Sequence, residues 1–309
     1  MASVTLAESA KLAQDELVSG VIENVITVNE MFELLPFDGI DGNALAYNRE
    51  NALGDVQMAG VGTTITAKAA ATFTQVTSTL TTIIGDAEVN GLIQATRSGD
   101  GNDQKAVQIA SKAKSCGRKY QDQMVNGDGT GSNMKGLLSL VAAGQTIEAG
   151  GGAANGAVLS FGDLDALIDL VTDKDGQVDF LMMNGRTRRA YLALLRALGG
   201  TTPGDIYTMA SGRQVPAYRG IPIFRNDWIP ITQTQGTSTN ATSVFAGTMD
   251  DGSRSHGLAG LTAERQAGIN IKEVGEKEDA DESITRVVWY CGLALFNEKG
   301  LACLKGVTN

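Results

Sequence analysis

The chain is short of the residues that build reactive centres. Among 309 residues there is one histidine, His256, and three cysteines, Cys116, Cys291 and Cys303, with no CxxC spacing. Any Ser-His-Asp or Cys-His nucleophile would therefore have to pass through His256. One His and three scattered Cys make no zinc cluster, and an odd, dispersed cysteine set fits a reducing compartment better than a disulfide framework. No apolar run approaches the ~20 residues of a membrane-spanning helix. The opening MASVTLAESAKLAQDELVSG lacks the basic start and apolar core of a secretory leader. Aromatics are only 5% and the net charge is -10. A general nucleic-acid binder needs clustered Lys and Arg to neutralise phosphate, so that class is disfavoured.

What is present is ordinary globular material, 42% hydrophobic and 19% charged, with 38 glycines. The length suffices for one large or two moderate domains. The first segment places Leu12, Leu17, Val18, Val21, Ile22, Val25 and Ile26 at three- and four-residue steps, which predicts an amphipathic helical arm. Pro36 and Asp41-Gly42 end it. From Asn51 to Thr82 only Asp55 and Lys68 are charged, and TFTQVTSTL alternates Thr with apolar residues. That pattern predicts a long two-stranded ribbon, too poor in large side chains to be stable without packing on something else.

A helix follows at about 102–126, with Asn102 as N-cap, an apolar stripe of Ala106, Ile109, Ala113, Tyr120 and Met124, and Gly127 as its stop. The glycine-rich stretch 149–156 is expected to be a linker. Ser160 and Asp163 stand in capping-box relation before a helix over 161–172. VDFLMM predicts a buried strand, and Asn184 caps a helix bearing Tyr191, Leu194, Leu195 and Leu198. RQVPAYRGIPIFRND predicts a hairpin, TQTQGTSTNAT a polar loop, and the charged run 272–282 an excursion into solvent. ITRVVWYCGLALF and LACLKGV predict a long strand and a short one at the end.

This order of elements resembles the major capsid proteins of tailed bacterial viruses, the Hong Kong 97-type fold. The arm ending in LLPF, GNALAYNREN, the low-charge ribbon, IIGDAEV, YQDQMVNGDGTGSNMKGL, DFLMMNGRTRRAYLALLRALGG, YRGIPIFRNDWIP and ITRVVWYCGLALFNEKGLACLKG carry the resemblance in sequence. It implies an α+β fold with an N-terminal arm at 1–42 and an E-loop ribbon at 43–82. A peripheral domain would take 83–150 and 284–296, including a long spine helix, and an axial domain 151–283 and 297–309. It implies a structural subunit, not an enzyme, that self-assembles into pentamers and hexamers of an icosahedral virion shell around DNA, in the host bacterial cytoplasm. A separate scaffolding protein, a portal and a decoration protein are the implied partners; no cofactor, metal or membrane is expected. An encapsulin-like cargo compartment is the alternative, and a hydrolase using scattered carboxylates a third, weaker one.

For a shell subunit, the E-loop candidates for contact with a neighbour are Val56, Met58, Val61, Thr64, Ile65, Lys68 and Phe73, and the arm candidates Leu17, Val21 and Ile22. Some members of the family crosslink an E-loop Lys to an Asn next door, and Lys68 is the only Lys in the ribbon, although no matching Asn or Glu is identifiable. Lys112 and Arg118 on the spine helix, and Arg186 and Arg189 on a later helix, are candidate interior or capsomer-centre charges, the latter helix having Asp163, Asp165 and Asp169 as candidate counter-charges.

Three other motifs read as surface turns. Asp173, Asp175, Gly176 and Asp179 resemble the middle of a calcium loop, but Val171 and Met182 occupy its first and twelfth positions. DDGSRSHG sets Asp251, Ser253 and Ser255 near His256 without implying a triad. GDGTG follows a helix, where a phosphate cradle needs a preceding strand.

Overall fold

The computed structural model describes residues 31, 35–98, 103–173, 176–198, 206–209 and 211–308. The expected arm helix, with Leu17, Val21 and Ile22, lies outside these. In chain order the elements that position the rest are strands β1 (Phe37–Ile40), β2 (Ala44–Ala52), β3 (Thr72–Thr79) and β4 (Thr81–Asn90), then helices α1 (Gly91–Arg97), α2 (Gln104–Asn126) and α3 (Leu137–Leu140). Strand β5 (Thr146–Glu148), helix α4 (Phe161–Thr172), strand β6 (Phe180–Met183) and helix α5 (Gly185–Ala197) follow. The remainder is β: β7 (Ile206–Thr208), β8 (Gln214–Tyr218), β9 (Ile221–Arg225), β10 (Gln233–Gln235), β11 (Ser238–Gly247), β12 (Leu258–Ala263), β13 (Ile269–Glu276), β14 (Glu282–Leu295) and β15 (Leu301–Val307).

Two sheets and a separate ribbon result. In the first sheet β14 is the centre: β4 runs antiparallel along one edge, β12 and β13 lie in succession along the other, and β1 adds in parallel outside β12. Strands β12 and β13, assigned above to the axial part, thus pair with β14 in this sheet. The second sheet has the order β5-β15-β11-β6-β9-β8-β7, with β10 paired to β11. The ribbon is β2 paired, among the described residues, with β3 alone.

Strand alternation divides the apolar residues between two cores. Phe180 and Met182 of β6 join Tyr120 and Met124 of α2, whereas Leu181 and Met183 face Leu164, Leu167, Ile168 and Val171 of α4. All four β6 residues are buried, as a central strand covered on both faces requires. Trp289, Cys291, Leu293 and Leu295 of β14 enter the first core, where the Tyr120 and Trp289 rings lie 4.6 Å apart. Ala294 and Phe296 point the other way and meet Ile40, Leu45, Tyr47, Leu80 and Leu261 in a third cluster at the root of the ribbon.

The structure refines several expectations. Helix α2 is capped by Asp103, whose carboxylate accepts from the Lys105 amide, rather than by Asn102, which lies outside the described residues. Ala106 is exposed, and the buried face of α2 is Gln104, Cys116, Tyr120, Gln121, Met124 and Val125. Gly127 does end the helix, but by turning to an extended conformation (φ -59, ψ 131) and not a left-handed one, and glycine is needed there because a Cβ would strike the Met134 carbonyl.

The stretch 149–156 is no free linker. Gly150, Gly151 and Gly152 turn left-handed at φ 66, 67 and 93, and the Gly150 amide donates to Asp163 at 3.0 Å, pinning the turn to the first turn of α4. TQTQGTSTNAT forms the β10–β11 hairpin, and most of the charged run 272–282 lies on strands β13 and β14, with β13 an exposed edge. Helix α4 starts as expected, the Ser160 hydroxyl accepting from the Asp163 amide at 3.1 Å.

Candidate functional site: an exposed apolar ribbon

The ribbon leaves the body where Asn43 and Leu80 close its base through a backbone hydrogen bond of 2.9 Å. Tyr47 and Arg49 on β2 tie it to the end of β14. The Tyr47 hydroxyl donates to the Leu295 carbonyl at 2.7 Å, and the Arg49 guanidinium donates to the carbonyls of both Leu295 and Phe296. Neither the full 43–82 span nor its tip is regular strand: β2 stops at Ala52, β3 resumes at Thr72, and β4 already belongs to the first sheet.

Between them the tip is organised by its own polar groups. The Asp55 amide donates to Ala69 at 2.9 Å, and the Gln57 side-chain oxygen accepts from the amides of Thr66 and Ala67. The carboxamide of Gln57 also donates to Thr64, so one side chain staples both arms. Gly62, at φ 84, takes a turn conformation that costs other residues.

This self-contained tip presents its apolar residues to solvent. Val56, Met58 and Val61 are 89%, 103% and 111% exposed, and Ile65 and Phe73 are also exposed, as are Thr64 and Lys68. Leu53, which sequence reading passed over, belongs with them at 78%. Ile84 on β4, Leu92 on α1 and Ile271 and Val274 on β13 are further exposed apolar residues. The part of β13 from Lys272 on was expected to be a charged excursion, and nothing in sequence distinguished a covered strand edge from a bare one.

The candidate charges do not gather. Lys112 lies beside Gly85 and helps hold the Asp86 carboxyl below its usual range, after the larger effect of Arg286. Arg118 stacks over the Trp228 ring at 5.3 Å, and Arg186 donates to the Asn240 carbonyl at 2.6 Å. Arg189 is exposed. Asp165, proposed as a counter-charge for α5, instead accepts from Tyr218 and pairs with Arg219 at 3.2 Å, while Asp163 is taken up in capping α4.

Nucleophile chemistry finds little footing. Burial pushes the Cys291 thiol up to about 12 and the Cys303 thiol up to about 11, which suppresses the reactive thiolates. His256 sits in an exposed loop with the Ser255 hydroxyl 2.7 Å from Nδ1 and Asp251 4.0 Å away. The ligand-type atoms of Asp250, Asp251 and His256 lie within 4.8 Å of one another, but the Asp250 carboxylate is engaged by the amides of Gly252, Arg254 and His256 and so shapes the loop. Asp128 is likewise a turn former, held at about 2 by Thr130 and Asn133. Asp179 accepts from the Met249 amide, as part of a turn and not a calcium loop; Asp175 lies outside the described residues. Among the described residues no helix is long and apolar enough to cross a membrane.

The whole architecture matches solved shells. The holo-SrpI encapsulin complex of Synechococcus elongatus superimposes with a TM-score of 0.74 at 16% identity, covering 99% of this chain and 97% of that one. The capsid of cyanophage A-1(L) gives 0.68 at 12% identity over 97% and 98% of the two chains, and the capsid of Myoviridae phage XM1 gives 0.63 at 14% over 99% and 100%. No curated protein sequence matches the chain. The fold is therefore of the Hong Kong 97-type. Its sequence over residues 103–308 matches the family model of type 2A encapsulin shell proteins, SrpI-like, and the chain belongs to that family.

Proposed function

We propose that this chain is a major capsid protein whose copies form pentamers and hexamers of a closed icosahedral shell around viral DNA. The observation that supports it best is the ribbon: an ordered, nearly uncharged E-loop that displays Leu53, Val56, Met58, Val61, Ile65 and Phe73 away from its own body. Such a surface is out of place on a monomer and suited to burial against a neighbouring copy without the cost of burying charge. In this reading Val56, Met58, Val61, Thr64, Ile65, Lys68 and Phe73 touch the neighbour, and Leu17, Val21 and Ile22 of the arm add to the lacing. Arg189, with Lys112, Arg118 and Arg186 in lesser part, faces the interior or the capsomer centre. A net charge of -10 suits a wall that encloses a polyanion without adhering to it.

Assembly in the bacterial cytoplasm with a scaffolding protein, and a portal and decoration protein in the finished virion, complete the proposal. Lys68 remains a solvated E-loop side chain in this reading, so denaturing gels of assembled particles should show single chains and no covalent ladder.

The family match favours a second reading, a shell loaded with protein cargo. Both readings predict closed particles by electron microscopy of the chain expressed with and without its neighbouring scaffold gene. Nuclease-protected DNA inside them supports the capsid reading, and a co-purifying enzyme in its place supports the compartment. A compact monomer that persists at high concentration, with scaffold present, sinks both.

A further inference from the structure

We propose that Arg49 is a latch that sets the angle at which the ribbon leaves the body, making it the positioning residue for the E-loop; its link to assembly rests on the shell reading above. The Arg49 side chain is only 18% exposed. Its Nε donates to the Phe296 carbonyl at 3.0 Å, its Nη2 donates to the Leu295 carbonyl, and its Nη1 lies 3.6 Å from the Glu298 carboxylate. The guanidinium also lies over the Tyr47 ring at 5.7 Å, and that ring meets Phe296 edge-on at 5.1 Å. Two successive carbonyls are gripped by one planar fork, a geometry that a lysine ammonium cannot reproduce.

The surroundings make this a control point and not just another surface contact. The apolar root ends at Tyr47, and the described hydrogen bonds beyond Arg49 stay within the ribbon. Among the described residues the outer edge of β2 has no strand partner. Residues 47–53 line a cleft of about 880 Å³ together with Ala142, Gln145, Asn297 and Lys299, so the space beside the latch is open and not packed. From Arg49 to Gly62 at the tip the chain reaches up to about 40 Å at ~3.3 Å per residue, so a tilt of about 10° at the latch carries the apolar tip about 7 Å. A lever of that length turns a local hydrogen-bond change into a different placement of Met58 and Val61.

The test uses the full chain with spin labels at Val61→Cys and at the exposed Lys305→Cys, the three native thiols being buried. A narrow label-to-label distance is expected in the parent. Arg49→Ala and Arg49→Lys should raise the population outside that distance roughly tenfold or more, the change that follows loss of one charge-assisted hydrogen bond. Glu50→Ala, on the exposed side of the same strand, should not. Arg49→Lys, the milder change, carries the test if Arg49→Ala fails to fold. A folded Arg49→Lys variant with the parent's distance distribution overturns the latch. Electron microscopy then separates the two claims. If the parent closes into shells and Arg49→Lys forms them in the same yield and size, the positioning role in assembly is overturned. If the distances broaden but the parent never closes, the latch stands and the shell reading falls.

Discussion

In the second sheet, β6 buries all four of its residues, and Val244, Phe245 and Ala246 of β11 and Leu301 to Leu304 of β15 are equally enclosed. In the ribbon, Met58 and Val61 are as open as they would be in an unfolded chain. Both regions use β-prone residues, but they settle the hydrophobic term in different places. Fully burying a large apolar side chain contributes ~1.5–3 kcal/mol, so leaving Leu53, Val56, Met58, Val61, Ile65 and Phe73 outside forgoes on the order of 10 kcal/mol. Only another surface can recover it. The second sheet thus meets its hydrophobic term within the subunit, whereas the ribbon does so only in the contact with a neighbouring copy proposed above.

The sharpest way to break this contrast is to remove one large side chain from each region. Phe245→Ala should destabilise the subunit by about 3–5 kcal/mol, because it leaves a cavity between two packed layers. Urea unfolding of the unassembled chain measures this. Met58→Asp with Val61→Asp should move subunit stability by no more than about 0.5 kcal/mol, since both sites face water, and yet abolish closed particles in electron micrographs. If the double variant unfolds as readily as Phe245→Ala, the ribbon belongs to the subunit's own folding unit and the contrast fails.

A cap change on the body has a smaller predicted effect. Ser160→Ala removes the hydroxyl that accepts from the Asp163 amide and should cost about 1 kcal/mol, visible as a shifted urea midpoint with assembly intact.

Local chemistry explains which parts were legible in sequence. Helix α4 was readable to the residue because Ser160 and Asp163 mark its start and Leu164, Leu167, Ile168 and Val171 mark its face. The β8–β9 hairpin was readable because a glycine stands between two apolar runs, and Arg219 and Gly220, at φ 53 and 80, form its two-residue turn. The ribbon was readable as an unbroken run of low charge, and its candidate contacts do lie exposed. Its anchor was not: Arg49 and Tyr47 bind carbonyls about 250 residues away in sequence, and no local period encodes that distance. The same limit explains β10 and β13. Their residues are polar because each lies at a sheet edge, and polarity read alone resembles a loop. Of the candidate counter-charges for α5, Asp165 faces the β8–β9 turn instead, another long-range pairing that no local period encodes.

The finest test of the contrast is electrostatic. On the body, Arg286 grips Asp86 with two parallel bonds, Nε to Oδ1 at 2.7 Å and Nη2 to Oδ2 at 2.8 Å, joining β14 to β4. That hydrogen bonding, with the charges of Arg286 and Lys112, outweighs the opposing effect of burial and holds the Asp86 carboxyl below its ordinary range. A carboxyl whose folded value is depressed stabilises the fold above its unfolded value of ~3.9, and that contribution fades as pH falls through the lower folded value. Asp86→Asn should therefore weaken the subunit slightly at neutral pH and flatten the acid limb of its stability curve below pH ~4. Because the pair lies within the first sheet and away from the ribbon tip, the variant should still close into shells at neutral pH. Loss of closure with subunit stability unchanged would make this face of the sheet part of the interface, and the line between self-sufficient body and unfinished ribbon would have to be redrawn through β4.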